Sequence, residues 1–252
     1  SKVSFASDAK TADGTNNYYK DVINNRSQWV WWASALTGTS NSGKKASGVS
    51  FDGPSTPVNV SFVNGRDGSA PADADYLRGL DKFKSAEDVD VSFILNSAGG
   101  ATRALHAIDN IALYRKDCLA MISPERSDVV NNASYTNKEV DDIITFRNTL
   151  TSSSYAVLDS GWKYQYDKYN DLYRYVPLNG DTAGLMVRTD NTRDPWFSPA
   201  GYNRGILKNA IKLAFNPNKT ARDQLYKNGI NPVITQPGQG TLLFGDKTLL
   251  SK

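Results

Sequence analysis

One cysteine, Cys118, and one histidine, His106, are all the chain contains of the two residue types that most often carry chemistry. A lone cysteine excludes an internal disulfide and suits a reducing compartment. Cys118 lies in the apolar run CLAMI, which suits burial better than reactivity. One histidine and one cysteine fall short of the three or four such ligands that a transition-metal site takes. A serine–histidine–aspartate triad would have to recruit His106, and no nucleophile-elbow pattern lies near it. No apolar run approaches the length of a membrane span. No basic, hydrophobic and small-residue triplet of a signal peptide opens the chain. Excess charge is also scarce. A net charge of +3 over 252 residues does not by itself point to nucleic acid or an anionic membrane. There is no internal repeat and no low-complexity tract.

What is present is enough chain for a sizeable core in one or two domains. Residues 1–15 are small and polar and predict a loop or arm; Asn17 to Asn24 fits a helix or a strand equally. Gln28 to Leu36 and Val58 to Val63 predict strands, from aromatic and β-branched content and from alternation. Residues 37–57 read as a loop, and NGRDGSAPA at 64–72 marks a domain boundary. Helices are predicted at Asp73–Ser85, with Asp73 as N-cap, and at Ala101–Lys116, with Ala104, Leu105, Ile108, Ile111 and Ala112 buried. Thr136 and Glu139 suggest a capping box opening a third helix, whose inner face is Val140, Ile143 and Ile144. Gly180–Thr189 and Thr220–Asn228 predict two more, the last capped by Asn218 or Thr220.

Strands are expected at Val89–Leu95, Cys118–Ser123, Tyr155–Leu158, Trp162–Tyr166, Tyr173–Val176, Val233–Ile234 and Leu242–Phe244, with a turn at Ser160-Gly161. Ile206–Ala214 fits strand or helix. Strand–helix alternation from Asp73 to Ser123, followed by hairpins, predicts an α/β class of mixed α+β character. Its core would be a mixed β-sheet flanked by helices, with a smaller β-rich domain before it.

The densest stretch runs from Trp162 to Gly205. Pro195 and Pro199 fix φ, Gly201 and Gly205 admit conformations closed to other residues, and Trp196, Phe197 and Tyr202 need a surface to pack on. Candidate packing or interface anchors are Trp162, Tyr164, Tyr166, Trp196, Phe197, Tyr202 and Arg204. Arg188, Arg193, Arg204, Arg222, Lys208 and Lys212 crowd the same third of the chain. Basic and aromatic residues together can bind single-stranded nucleic acid or make charge-matched protein interfaces.

Three chemical readings compete with an interface. Gly38 to Lys44 matches seven positions of a phosphate-binding loop, but Lys45 stands where a magnesium-holding hydroxyl belongs, and no helix pattern follows. Asp167, Asn170 and Asp171 miss the spacing of a calcium loop. Asp159, Asp167, Asp171 and Asp181 could supply the carboxylate pair of a carbohydrate-active hydrolase. Interleaved with Lys163, Lys168 and Arg174, they fit a salt-bridged, tyrosine-rich face better.

KYQYDKYND at 163–171, VPL at 176–178, RTDN at 188–191 and SPAGYNRG at 198–205 closely resemble the tail sheath proteins of T-even-type contractile phages. AIKLA at 210–214, LY at 225–226, INPV at 230–233 and FGDKT at 244–248 continue the likeness. DVDVSFI at 88–94 and KDCLAMISP at 116–124 extend it upstream; before Asp88 it is thin. Secretion-machine and bacteriocin sheaths share the architecture. The resemblance implies a structural subunit, not an enzyme, with no cofactor and no metal. It would pack as a helical homo-oligomer with other sheath subunits, around a tail tube and above a baseplate. The assembly would form in the bacterial host cytoplasm and reside in the virion tail, without membrane or direct nucleic-acid contact. It also implies that residues 1–65 end an outer, protruding domain, and that 66–252 form most of an inner core. The tube-proximal domain and both strand-donating arms would then lie outside this chain, which alone should be a monomer.

Overall fold

The computed structural model describes residues 3–32, 65 and 68–250. It divides into two compact units, Ser1–Arg66 and Asp67–Lys252. The expectations for 37–57 and Val58–Val63, and the phosphate-loop match at 38–44, lie outside the described residues.

In the first unit the undecided segment is a helix, α1 (Tyr19–Arg26). The strand expected from Gln28 does not form over 28–32. Asn24 explains why: its side chain accepts from Trp32 N at 2.7 Å and donates to Trp32 O at 3.1 Å. The backbone groups that a strand ladder would need are already engaged. Phe5 and Trp32 pack against Tyr19, and Lys20 lies over Trp32 at 3.9 Å.

The second unit opens with α2 (Asp73–Leu80), continued by a 3₁₀ turn, Asp81–Phe83. Ala72, not Asp73, is its N-cap, and Asp75 reaches back to accept from Ala72 N at 3.0 Å. Asp73 instead pairs with Arg103 at 2.7 Å, whose guanidinium lies over Tyr76.

Four parallel strands follow: β1 (Phe93–Leu95), β2 (Leu119–Ile122), β3 (Ala156–Asp159) and β7 (Ile230–Asn231), in the order β1-β2-β3-β7. Side chains alternate between the two faces of a strand. Ile94, Ala120, Ile122, Ala156 and Leu158 enter the main core. Phe93, Leu119, Met121 and Val157 face Ala183 and Met186 on the other side. Covering both faces is what makes these strands read as continuous apolar runs.

Helix α3 (Ala101–His106) runs through a π-helical stretch, Ala107–Ala112, into α4 (Leu113–Arg115), and Lys116 ends it at φ 63°. Ala104, Ile108, Ile111 and Ala112 are buried as expected; Leu105 is only half-buried. After the short α5 (Arg126–Val129) comes α6 (Lys138–Thr149), which buries Val140, Ile143 and Phe146. The expected Thr136 cap is absent. Left-handed Asn137 takes the N-cap position, and no side chain bonds the first turn.

Two antiparallel sheets complete the unit. One, in the order β5-β4-β6, joins β4 (Trp162–Asp167), β5 (Leu172–Pro177) and the two-residue β6 (Lys212–Leu213). The other is the hairpin of β8 (Val233–Gln236) and β9 (Gly240–Leu243). Parallel and antiparallel pairing therefore both occur, but in separate sheets. The turn at Ser160-Gly161 does not fold β3 back on β4. Gly161, at φ 154°, passes the chain from one sheet to the next. Helix α7 (Asn179–Thr192) and the hairpin share a second core of Leu178, Leu185, Leu207, Leu213, Val233 and Leu243. Helix α8 (Lys219–Lys227) is capped by Asn218, which accepts from Ala221 N at 2.9 Å. Among the described residues, no helix is long and apolar enough to cross a membrane.

Candidate assembly surface

In an open parallel sheet, ligands gather at the carboxyl ends of the strands where the strand order reverses. Here the order β1-β2-β3-β7 runs one way only, so no crevice opens between diverging strands. The strand ends are filled from within. Asp159 Oδ2 accepts from Ser123 Oγ at 2.6 Å, and Oδ1 accepts from Gly161 N at 2.9 Å. Ser123 Oγ accepts from Asn179 N, Ser160 Oγ accepts from Val233 N, and Asn179 Nδ2 donates to Ser97 O. Trp162 Nε1 donates to Pro124 O at 2.8 Å. Burial pushes the Asp159 carboxyl up to about 8, against the lowering effect of its two donors and with help from Asp181.

The four candidate acids do not form an acid–base pair. Asp159 is 1% exposed and tied as described. Asp181 is held by Lys163 at 2.8 Å; burial raises its pKa and Lys163 opposes the rise. Asp167 accepts from Asn170 and pairs with Arg174 at 3.1 Å, and Asp171 accepts from the Tyr166 hydroxyl at 2.6 Å. An open depression of about 320 Å³ beside Lys163 is lined by only one of the four, Asp181. The geometry required of a glycoside hydrolase, two carboxylates facing one cleft, is not met by these residues. Cys118 is buried, and desolvation raises its pKa. His106 bonds Asp81 at 2.8 Å. Among the described residues, no group of three or more His, Cys, Asp and Glu could hold a metal ion.

The β4–β5 hairpin sorts the tyrosine-rich segment by face. Its register pairs Tyr164 with Tyr175 and Tyr166 with Tyr173, so these four share the side of Trp162. Lys163, Asp167 and Arg174 occupy the other side with their ion pairs. The aromatic side runs from core to solvent. Trp162 is 4% exposed, Tyr164 is half-buried with Lys212 over its ring, and Tyr166 is 47% exposed.

The block after α7 behaves differently. Trp196 is 79% exposed and, among the rings of the described residues, touches only Phe197. Of the two roles expected for Trp196, packing or interface, it does not pack into a core: the second core is closed by aliphatic residues. Phe197 and Tyr202 are also exposed. Arg204 lies over Phe197 at 5.5 Å and donates to Ser198 O at 2.7 Å; its own carbonyl accepts from Arg188. Tyr202 meets Phe244 edge-on at 5.7 Å, and Arg222 covers Phe244 from α8. Arg222 is among the basic residues expected here, whereas Phe244 escapes a sequence reading of this surface, because what recruits it is a long-range contact. Leu243 O accepts from Gly201 N, and Leu243 N donates to Gly205 O. A Cβ at Gly205 would sit 2.6 Å from Leu243 O, so only glycine fits that approach.

The family profile of the phage tail sheath protein central domain matches residues 70–249. This chain belongs to the phage tail sheath family. The tail sheath proteins of Enterobacteria phage T4 and Vibrio phage KVP40 are 43% and 41% identical to it, over 70% and 74% of this chain and 29% and 30% of theirs. That of Salmonella phage ViI is 33% identical over 97% of this chain and 35% of its own length. This sheath chain thus spans about a third of the length of the relatives it matches. Its fold is shared with the PVC sheath complex of an extracellular contractile injection system in the contracted state. That match has a TM-score of 0.51 at 17% identity, covering 69% of this chain and 44% of that one.

Proposed function

We propose that this chain is part of a contractile sheath subunit that stacks with copies of itself around a tail tube and meets a baseplate. Contraction would drive the tube through the host envelope. The observation that carries the reading is the tail-sheath match across nearly all of the second unit. The filled strand ends support it, because the place where such a sheet would take a small molecule is occupied by Ser123, Asp159 and Asn179. We assign no catalysis, cofactor or direct nucleic-acid contact to the chain. Residues 1–65 belong to an outer, protruding domain and 66–252 to an inner core domain. Assembly takes place in the host cytoplasm, and the product resides in the virion tail.

Physically, subunits joined head-to-tail without closure build a helical tube. An extended sheath is a kinetically trapped state, and contraction is largely rigid-body movement of subunits. The direct test is to place residues 68–250 in a density map of an assembled tail. The expected outcome is repeated copies in a continuous layer around the tube; a fit confined to a fibre or head component would overturn the reading. At micromolar concentration the 252-residue chain should sediment as a monomer, and tubes or rings formed by it alone would contradict that.

A further inference from the structure

Two exposed surfaces of the second unit each carry what the other lacks. The first carries two ring groups, Arg204 over Phe197 beside the most exposed ring, Trp196, and Arg222 over Phe244 beside Tyr202, held together by the backbone bonds of Gly201 and Gly205 with Leu243. Among the described residues, no carboxylate lies within ion-pair distance of Arg193, Arg204 or Arg222. Stacking on a ring fixes a guanidinium plane, and with Arg204 Nε already given to Ser198 O its terminal N–H groups remain for a carboxylate. The second surface is the loop before β1. Glu87, Asp88 and Asp90 are exposed there, and among the described residues none lies within ion-pair distance of a basic group, although Arg115, which donates to Ser85 O and Val89 O, acts on Asp90 at longer range. Exposed Phe83 and Tyr114 flank that loop, with Lys84 over the Tyr114 ring.

Among the described residues the two surfaces form no ion pair with each other within one chain. The acidic loop feeds β1, whereas Phe244 N bonds the carbonyl of Pro232, next to the end of β7. β1 and β7 are the two outside strands of the four-stranded sheet, three strand spacings or about 14 Å apart.

We propose that the aromatic–guanidinium surface of one copy docks on the Glu87–Asp90 loop of the next, in a heterologous contact that repeats instead of closing on itself. This rests on the sheath-subunit reading and specifies which surfaces meet. Carboxylates of the loop seat against Arg204 and Arg222, and Trp196 fills the apolar ground beside Phe83 and Tyr114. A contact of this size is weak between isolated chains, and salt screens it.

Sedimentation equilibrium of the chain near millimolar concentration tests it. Wild-type chain should self-associate at low salt and lose that association in 0.5 M salt, an interval over which screening shortens severalfold. Arg222→Glu alone and Asp88→Arg alone should each weaken association about tenfold or more. An equimolar mixture of the two variants should recover it, since each unlike pair then restores opposite charges at the contact. Salt-insensitive wild-type behaviour, or a mixture no stronger than its components, overturns the contact. In assembled tails the two readings separate. Tails that assemble as well with Arg222→Glu subunits as with wild type overturn this contact alone, whereas a wild-type chain that maps outside the layer around the tube overturns the sheath reading.

Discussion

At the ends of the parallel strands, Ser123, Asp159 and Asn179 are closed away from water; in the block from Arg193 to Gly205, Trp196 and Tyr202 stand in it. The difference follows from which groups need partners. Where the chain leaves the ladder at the strand ends, Gly161, Asn179 and Val233 bring backbone N–H groups into the interior. A buried donor must be satisfied, so Asp159, Ser123 and Ser160 are drawn in to accept from them. In the block, Pro195 and Pro199 have no N–H, and Phe197 N already bonds Asp194 O. The neighbouring core is complete without aromatics, so the rings stay exposed.

The sharpest way to break this comparison uses the two tryptophans. Trp162 is in the main core, with its ring nitrogen bonded to Pro124 O. Trp162→Ala should destabilise the chain by about 3–5 kcal/mol through lost burial and a cavity, and leave the Pro124 carbonyl without its donor. Guanidinium melts measure this, and a loss below about 1 kcal/mol would mean the strand ends are not a rigid closure.

The second test is titration. An unfolded aspartate ionises near 3.8, whereas Asp159 in the fold holds its proton to about 8. Between those values the folded chain keeps a proton that the unfolded chain has released. Stability from this group is therefore full at acid pH, falls as pH rises, and levels off above the folded value. The slope is at most about 1.4 kcal/mol per pH unit. Asp159→Asn keeps an oxygen for Gly161 and gives Ser123 an amide donor, without a charge to bury. Its urea midpoint should lose this pH dependence between about 4 and 8 and exceed the wild-type midpoint on the alkaline side. Parallel pH profiles for the two proteins would show that Asp159 is not held neutral.

Much of the fold was legible where period and caps agree: β2, α7, and α8 with its Asn218 cap all lie where spacing puts them. The misreadings share a cause in long-range partners. Asn24 takes the Trp32 backbone, so aromatic content at 28–32 does not become a strand. Ile206–Ala214, open between strand and helix by its spacing, meets the hairpin through the Ile206 bridge and Leu207 N and runs on to pair with β4 at Lys212–Leu213. The candidate assembly surface was half visible. Trp196, Phe197, Tyr202 and Arg204 stand together in sequence, whereas Phe244 and Arg222 join them only through the Leu243 backbone bonds. Burial of Asp159 carried no sequence signal, since its neighbours Ser123 and Asn179 come from β2's end and α7's start.

The smallest expected effect completes the contrast. Trp196→Ala removes a ring that is already 79% exposed and leaves the aliphatic core beneath it intact. The chain's unfolding free energy should fall by less than about 0.5 kcal/mol. Tail assembly should nonetheless suffer, since a large aromatic left in solvent gains most when a partner covers it. Stability and assembly would thus part at Trp196 and fall together at Trp162. A stability loss at Trp196 comparable to that at Trp162 would place the ring in a core and remove the ground for treating the two regions as different in kind.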